Sequence, residues 1–217
     1  VAIAEETQSL KEYKHFKDIM NSGTPIVMFD RVADGINCDK VVVDDFDSAY
    51  DATSHLIKLG SKKIALLSTI QNLSVGKLRL DGYKKALSDA NMSIDENLII
   101  QETSIEDFDV QLQQLISSKK MDAIFALDEH SSTMTMRMAL KQGIKIPEEL
   151  NIIGFADGVW SRRLTPSLST VSQHAPEIGA KAAELLIHKL NSKDEFYQPK
   201  TVVIKTELRQ RESTRKL

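Results

Sequence analysis

Short β-branched runs alternate with stretches of helical periodicity along almost the whole chain, and this alternation restricts the fold more than any other feature. The run Ile26-Val27-Met28-Phe29 is entered through the turn signal Gly23-Thr24-Pro25. Residues 47–59 then predict a helix, with Ala49, Ala52, Leu56 and Leu59 on one face and Gly60 where a left-handed cap belongs. Further strands are predicted at 63–68, 98–100, 122–127 and 151–155. The helices between them are striped by Leu80, Tyr83 and Leu87, by Phe108, Leu112, Leu115 and Ile116, and over 130–142 up to Gly143 and Pro147. Such βαβα order implies α/β architecture, doubly wound parallel sheets with helices on both faces. After Pro166 a short strand (168–171) leads into a long helix (176–190) and a last strand (201–206), and the polar stretch 209–217 is expected to fray.

Ligands of open parallel sheets sit beyond the carboxyl ends of the strands. Those ends carry Asp30 and Arg31, Ser68 and Thr69, Asp128 and Glu129, and Ala156 and Asp157. The chain contains no glycine-rich phosphate loop, no HExxH, no CxxC and no GxSxG, and its five histidines lack metal-ligand spacing. No motif calls for a cofactor or metal, and no nucleophile, base and orienting group assemble, so the expectation is a non-enzyme. A net charge of −3 supplies no general basic field for gripping nucleic-acid phosphates. The longest apolar runs are too short to span a bilayer. Cys38 is the single cysteine, which excludes an internal disulfide and fits a reducing, cytoplasmic setting.

Six segments in order resemble the lactose-repressor/galactose-repressor (LacI/GalR) family of transcriptional regulators. They are GTPIVMFDR (23–31), VVVDD…ATSHLIKLGSKKIALLS (41–68), RLDGYKKAL (79–87), GIKIPEELNIIGFAD (143–157), TPSLSTVSQ (165–173) and RQREST (209–214). The resemblance implies a two-lobed, periplasmic-binding-protein-like (type I) fold, with the first lobe incomplete here and the helix-turn-helix head absent. The first lobe is expected at 1–44 and 174–197, and the second at 45–173 and 198–217. It implies the sensing part of a DNA-binding regulator, expected to be a repressor. That part takes a small polar effector, a sugar or sugar derivative, in the cleft between lobes, where closure biases lobe orientation. DNA is then a partner only through the absent head. A periplasmic sugar-binding protein of an uptake system is the alternative, and an enzyme on a doubly wound sheet is not excluded by fold alone.

The resemblance places Arg79 (the arginine of R-x-x-G-y) against effector hydroxyls or an acidic group, for which a planar fork is suited. A surface arginine at a helix start is the plain alternative. Asp30 is either near the effector or paired with Arg31; Gln173 either faces the ligand at a lobe crossing or bonds backbone. Asp128 and Asp157 stand at strand ends as further ligand candidates. Trp160 either closes over the cleft or sits in a subunit interface, where aromatics are enriched. Three positions depart from the family pattern: Ala156 where aspartate is usual, Leu127 where asparagine is usual, and Thr103 where an aromatic is common. The pocket is therefore expected to be reshaped. A homodimer is expected through the helix carrying Met134, Met136 and Met138 and the segment 159–164, with Met134, Met138, Arg162 and Leu164 in the interface. The other reading of that helix buries Met134 and Met138 and leaves Met136 solvated.

Overall fold

The computed structural model describes residues 1–3, 13–156, 158–192 and 197–216. Its elements run α1 (Lys14–Asn21), β1 (Val27–Phe29), β2 (Asp39–Val43), α2 (Asp45–Lys58), β3 (Ile64–Ser68), α3 (Ser74–Asp89), β4 (Ile99–Gln101), α4 (Ile105–Ser118), β5 (Ala123–Ala126), α5 (Glu129–Lys141), β6 (Asn151–Gly154), α6 (Val159–Arg163), β7 (Ser169–Ser172), α7 (Ala175–Asn191), β8 (Thr201–Ile204) and β9 (Glu207–Arg209). They fall into two compact units, residues 1–44 with 174–205 and residues 45–173 with 206–217.

The larger unit is a six-stranded sheet in the order β4-β3-β5-β6-β7-β9, parallel except for β9, which runs antiparallel to β7. The period-two alternation of a strand sends successive side chains to opposite faces. Ile64 and Leu66 of β3, with Phe125 of β5 and Ile153 of β6, meet Ala49, Ala52 and Leu56 of α2 and Tyr83 and Leu87 of α3. Ala65, Leu67, Ile124, Ala126 and Ile152 face the other way, against Phe108, Leu112 and Ile116 of α4 and Met136 and Ala139 of α5. Buried on both faces, these strands read as the continuous apolar runs that the sequence shows.

Helices α2 and α3 approach closely at Gly82, where an added Cβ would collide with the Phe46 carbonyl oxygen. This explains the glycine of RLDGY without any appeal to a ligand. Gly82→Ala is expected to destabilise the larger unit by about 1–3 kcal/mol through overpacking. A urea melt of the variant checks this, and an unchanged midpoint would show that the helices separate freely.

The C-terminal tail departs from expectation. Residues 209–217 were expected to fray, yet Ser213 and Thr214 are buried. Strands β6 and β7 pair through only two residue pairs, Ile153–Ser169 and Gly154–Thr170. The tail fills the gap below them. Ser213 Oγ donates to the Ile152 carbonyl (2.6 Å) and accepts from the Ser169 N–H (2.8 Å), while the Ser213 carbonyl accepts from the Ile152 N–H (2.8 Å). The tail's polarity reflects backbone groups that need partners.

The smaller unit has a three-stranded parallel sheet, β1-β2-β8, with Ile178, Ala182 and Leu185 of α7 packed against Val27, Val41 and Val43. Val1 and Ile3 lie beside β1, the Val1 carbonyl accepting from the Phe29 N–H at 2.9 Å and the Ile3 N–H donating to the Arg31 carbonyl at 3.0 Å. One boundary is corrected here. The sequence places 198–217 in the second lobe, with one last strand, 201–206, returning to it. Its strand β8 instead pairs with β2, Lys40 opposite Thr201 through Val43 opposite Ile204, and so belongs to the smaller unit. The chain enters the larger unit at Thr206 and forms β9 there, with Leu208 against that unit's core. A β-branched run does not state which sheet will take it.

Candidate functional site

In the larger unit the chain leaves β3 to build β4 on one side, then returns to build β5 on the other. That reversal is a topological switch point, the place where parallel sheets leave a crevice at their carboxyl ends. Arg79 lies there. Its side chain is 3% exposed, and Nε donates to Asp45 Oδ1 at 2.7 Å, an ion pair whose aspartate side chain is 2% exposed. Nη1 donates to the Leu127 carbonyl at 2.6 Å, and the guanidinium carbon stands 3.5 Å from the Phe155 ring centroid. Three elements thus fix the fork: the start of α2, the end of β5 and the end of β6. The surface-arginine reading is overturned; this guanidinium is desolvated, paired and stacked.

Across the same switch point Asp128 accepts from the Thr69 N–H (2.8 Å) through one oxygen and from the Ser131 N–H (2.8 Å) through the other. It caps α5 in a reciprocal capping box with Ser131, so its carboxylate is held by backbone donors and the helix N-terminus. Ser68 Oγ accepts from the Ile70 N–H at 3.1 Å, turning the chain after β3. An added Cβ at Gly76 would collide with the Ile70 carbonyl oxygen, so glycine lets that loop lie on the first turn of α3. Leu127 and Ala156 place buried hydrocarbon at the ends of β5 and β6. Among the described residues no group of three or more His, Cys, Asp or Glu could hold a metal ion.

Residues 53–214 match the periplasmic binding protein-like domain model. A relative in Bacillus subtilis (strain 168), the HTH-type transcriptional regulator DegA, is 32% identical over 76% of this chain and 49% of its own length. The ribose operon repressor of Haemophilus influenzae is 32% identical over 80% of this chain and 53% of its own. Among solved structures, the complex of the transcriptional regulator CelR with cellobiose superposes with a TM-score of 0.80 at 26% identity, covering 90% of this chain and 60% of that one. The chain belongs to the periplasmic-binding-protein-like effector domains of the LacI family. It spans about half the length of the two regulators just named.

Within this LacI-family domain the remaining candidate residues separate. Asp30 ends β1 with a left-handed backbone (φ 57°) and its carboxylate is 3.9 Å from Arg31 Nε. It lies in the smaller unit, as does Arg31. Gln173, half-buried, follows β7 and precedes His174, whose own left-handed backbone (φ 52°) opens α7. Asp157 lies outside the described residues. Trp160, on the short α6, is 62% exposed, with Arg162 exposed beside it and Leu164 half-buried against the core. On α5 the alternative reading, with Met136 solvated and Met134 and Met138 buried, is overturned: Met136 is fully buried in the core, while Met134 and Met138 are half-buried at its margin. The 3.6-residue period puts Met136 on the face of Ser132 and Ala139, both fully buried. Sequence reasoning did not single out Asp45 or Phe155, the two groups that hold Arg79. The paired carboxylates Asp44-Asp45 after a β-branched run were the available signal, because a buried carboxylate at a strand end needs a cation.

Proposed function

We propose that this domain senses a small polar effector, a sugar or sugar derivative, for a dimeric, cytoplasmic, DNA-binding transcriptional repressor whose DNA-reading part lies outside these residues. The relatives are transcriptional regulators rather than enzymes, one is named for a ribose operon, and a structural neighbour is a cellobiose complex. The single observation that carries the reading is Arg79. It stands at the switch point of the sheet with Nε and Nη1 committed to the protein, which leaves Nη2 to donate to a ligand oxygen from a fixed position. A donor held so firmly loses little freedom on binding. No helix of the described residues is long and apolar enough to cross a membrane.

Calorimetric titration against neutral sugars, sugar phosphates and sugar acids tests the reading. Arg79→Lys keeps a cation for Asp45 but loses the planar fork. A hydrogen bond from a charged donor is worth about 1.5–3 kcal/mol, so the variant is expected to bind its effector roughly 10- to 100-fold more weakly. Equal binding by a folded variant removes Arg79 from the site.

Dimerisation is proposed through α5 and α6. Half-buried Met134 and Met138, with Val110, line a hollow of about 370 Å³ between α4 and α5, and α6 presents exposed Val159 and Trp160. Two copies reading two half-sites need a two-fold contact, on the order of 1,200 Å² in total. Sedimentation of Met134→Lys and Trp160→Ala is expected to show at least about 10-fold weaker association. A wild-type domain that stays monomeric at high concentration rejects this face.

A further inference from the structure

We infer that Asp45 sets the charge class of the effector: by neutralising Arg79 it admits uncharged hydroxyl-bearing molecules and turns away phosphorylated or carboxylated ones. The inference rests on the proposal that the effector is held at Arg79. Among the described residues that β3, β5 and β6 bring together at their carboxyl ends, Arg79 is the cation that is desolvated and fixed, and its charge is already matched by a carboxylate at 2.7 Å. An anion brought to the remaining nitrogen meets the repulsion of the Asp45 charge as well as the attraction of the guanidinium paired with it, so much of the attraction is offset. It would also surrender its hydration for little net charge compensation.

A hydroxyl asks for less. It needs a donor with fixed direction, which the paired guanidinium still supplies. The rest of the rim points the same way. Asp128 adds a second carboxylate, whose oxygens already accept two backbone N–H groups. Glu102, just beyond β4, adds a third, accepting from Gln111 Nε2. Leu127 and Ala156 offer no polar side-chain atom at all. Lys77, two residues before Arg79, is exposed, and an exposed lysine is screened by water and salt. The buried ion pair therefore acts as a specificity filter as well as a brace.

The test uses inorganic phosphate as probe, at constant ionic strength against chloride, read by calorimetry and by thermal shift. The wild-type domain is expected to show no saturable phosphate binding in the millimolar range. Asp45→Asn keeps an oxygen to accept from Arg79 Nε while freeing the positive charge, and is expected to bind phosphate at least about 10-fold more tightly than wild type. Asp45→Ser is a second, smaller variant with the same prediction, and circular dichroism reports whether each is folded. Adding Arg79→Gln to Asp45→Asn should abolish the gained binding, which places it at this guanidinium. Wild-type binding that is lost in Arg79→Gln, or folded Asp45 variants that gain nothing, would overturn the inference. A failure to find any sugar ligand would count against the sensing proposal and would leave these phosphate comparisons intact.

Discussion

Arg79→Leu is expected to remove about 3–5 kcal/mol of folding stability, because it takes from the buried Asp45 carboxylate the guanidinium that pairs with it. The aspartate side chain is 2% exposed, so water cannot take over from the lost guanidinium without opening the start of α2. The Leu127 carbonyl loses its donor in the same substitution. The double variant Asp45→Asn/Arg79→Leu removes both charges and is expected to be more stable than Arg79→Leu by at least about 1 kcal/mol, the non-additivity of residues in one network. Urea melts of the wild type, the two single variants and the double variant measure it. If Arg79→Leu melts like the wild type, the ion pair is not the brace described above. Any loss of effector binding in that variant then belongs to direct contact alone.

Ser213→Ala should cost about 2–4 kcal/mol, which is large for the loss of one hydroxyl from a polar tail. The hydroxyl serves two backbone groups, the Ser169 N–H and the Ile152 carbonyl, at the end of the short β6–β7 ladder, where Ile152 has no partner in β7. A buried group left without its partner costs about 1–3 kcal/mol. The neighbouring Arg215→Ala is the control: Arg215 is exposed and its guanidinium meets one backbone carbonyl, that of Glu148, so its melt should move by no more than about 0.5 kcal/mol. A Ser213→Ala melt that matches the Arg215→Ala melt would mean that the tail is an ornament of the sheet rather than part of it.

The strands of the larger unit were legible because each is a bounded apolar run between helical stripes, and burial on both faces leaves no competing pattern. Leu67 and Phe125 could hardly face water. The last strand was not legible in the same way. Nothing in Thr201–Thr206 distinguishes the residues that pair with β2 from those that lead to β9, since the β2 partners of β8 lie 161 residues away in the sequence and the β7 partners of β9 lie 35–39 away. Met134, Met136 and Met138 show a second limit: three methionines at alternate positions define two helix faces, and only the packed partners Phe108 and Ile116 of α4 choose between them. Arg79 was legible as a candidate residue, but its burial was not. Its neighbours Asp45, Leu127 and Phe155 come from 34, 48 and 76 residues away along the chain, and local sequence holds no trace of that meeting. The tail RQREST was readable as a family signature, whereas its role in completing backbone hydrogen bonding became visible only with β6 and β7 in place.

Amide chemical-shift mapping of the folded domain, titrated with neutral sugars such as ribose and cellobiose, addresses the central claim most directly. The account predicts saturable shifts at the carboxyl ends of β3, β5 and β6, at Thr69, Asp128 and Ala156, together with the Arg79 Nε–H resonance. It also predicts their loss in Arg79→Lys while the remaining spectrum stays that of a folded protein. Shifts confined to the opposite end of the sheet, around Lys119, Met121 and Ile144, or to the hollow between α4 and α5, would contradict it, as would a panel of sugars that produces no saturable shift anywhere.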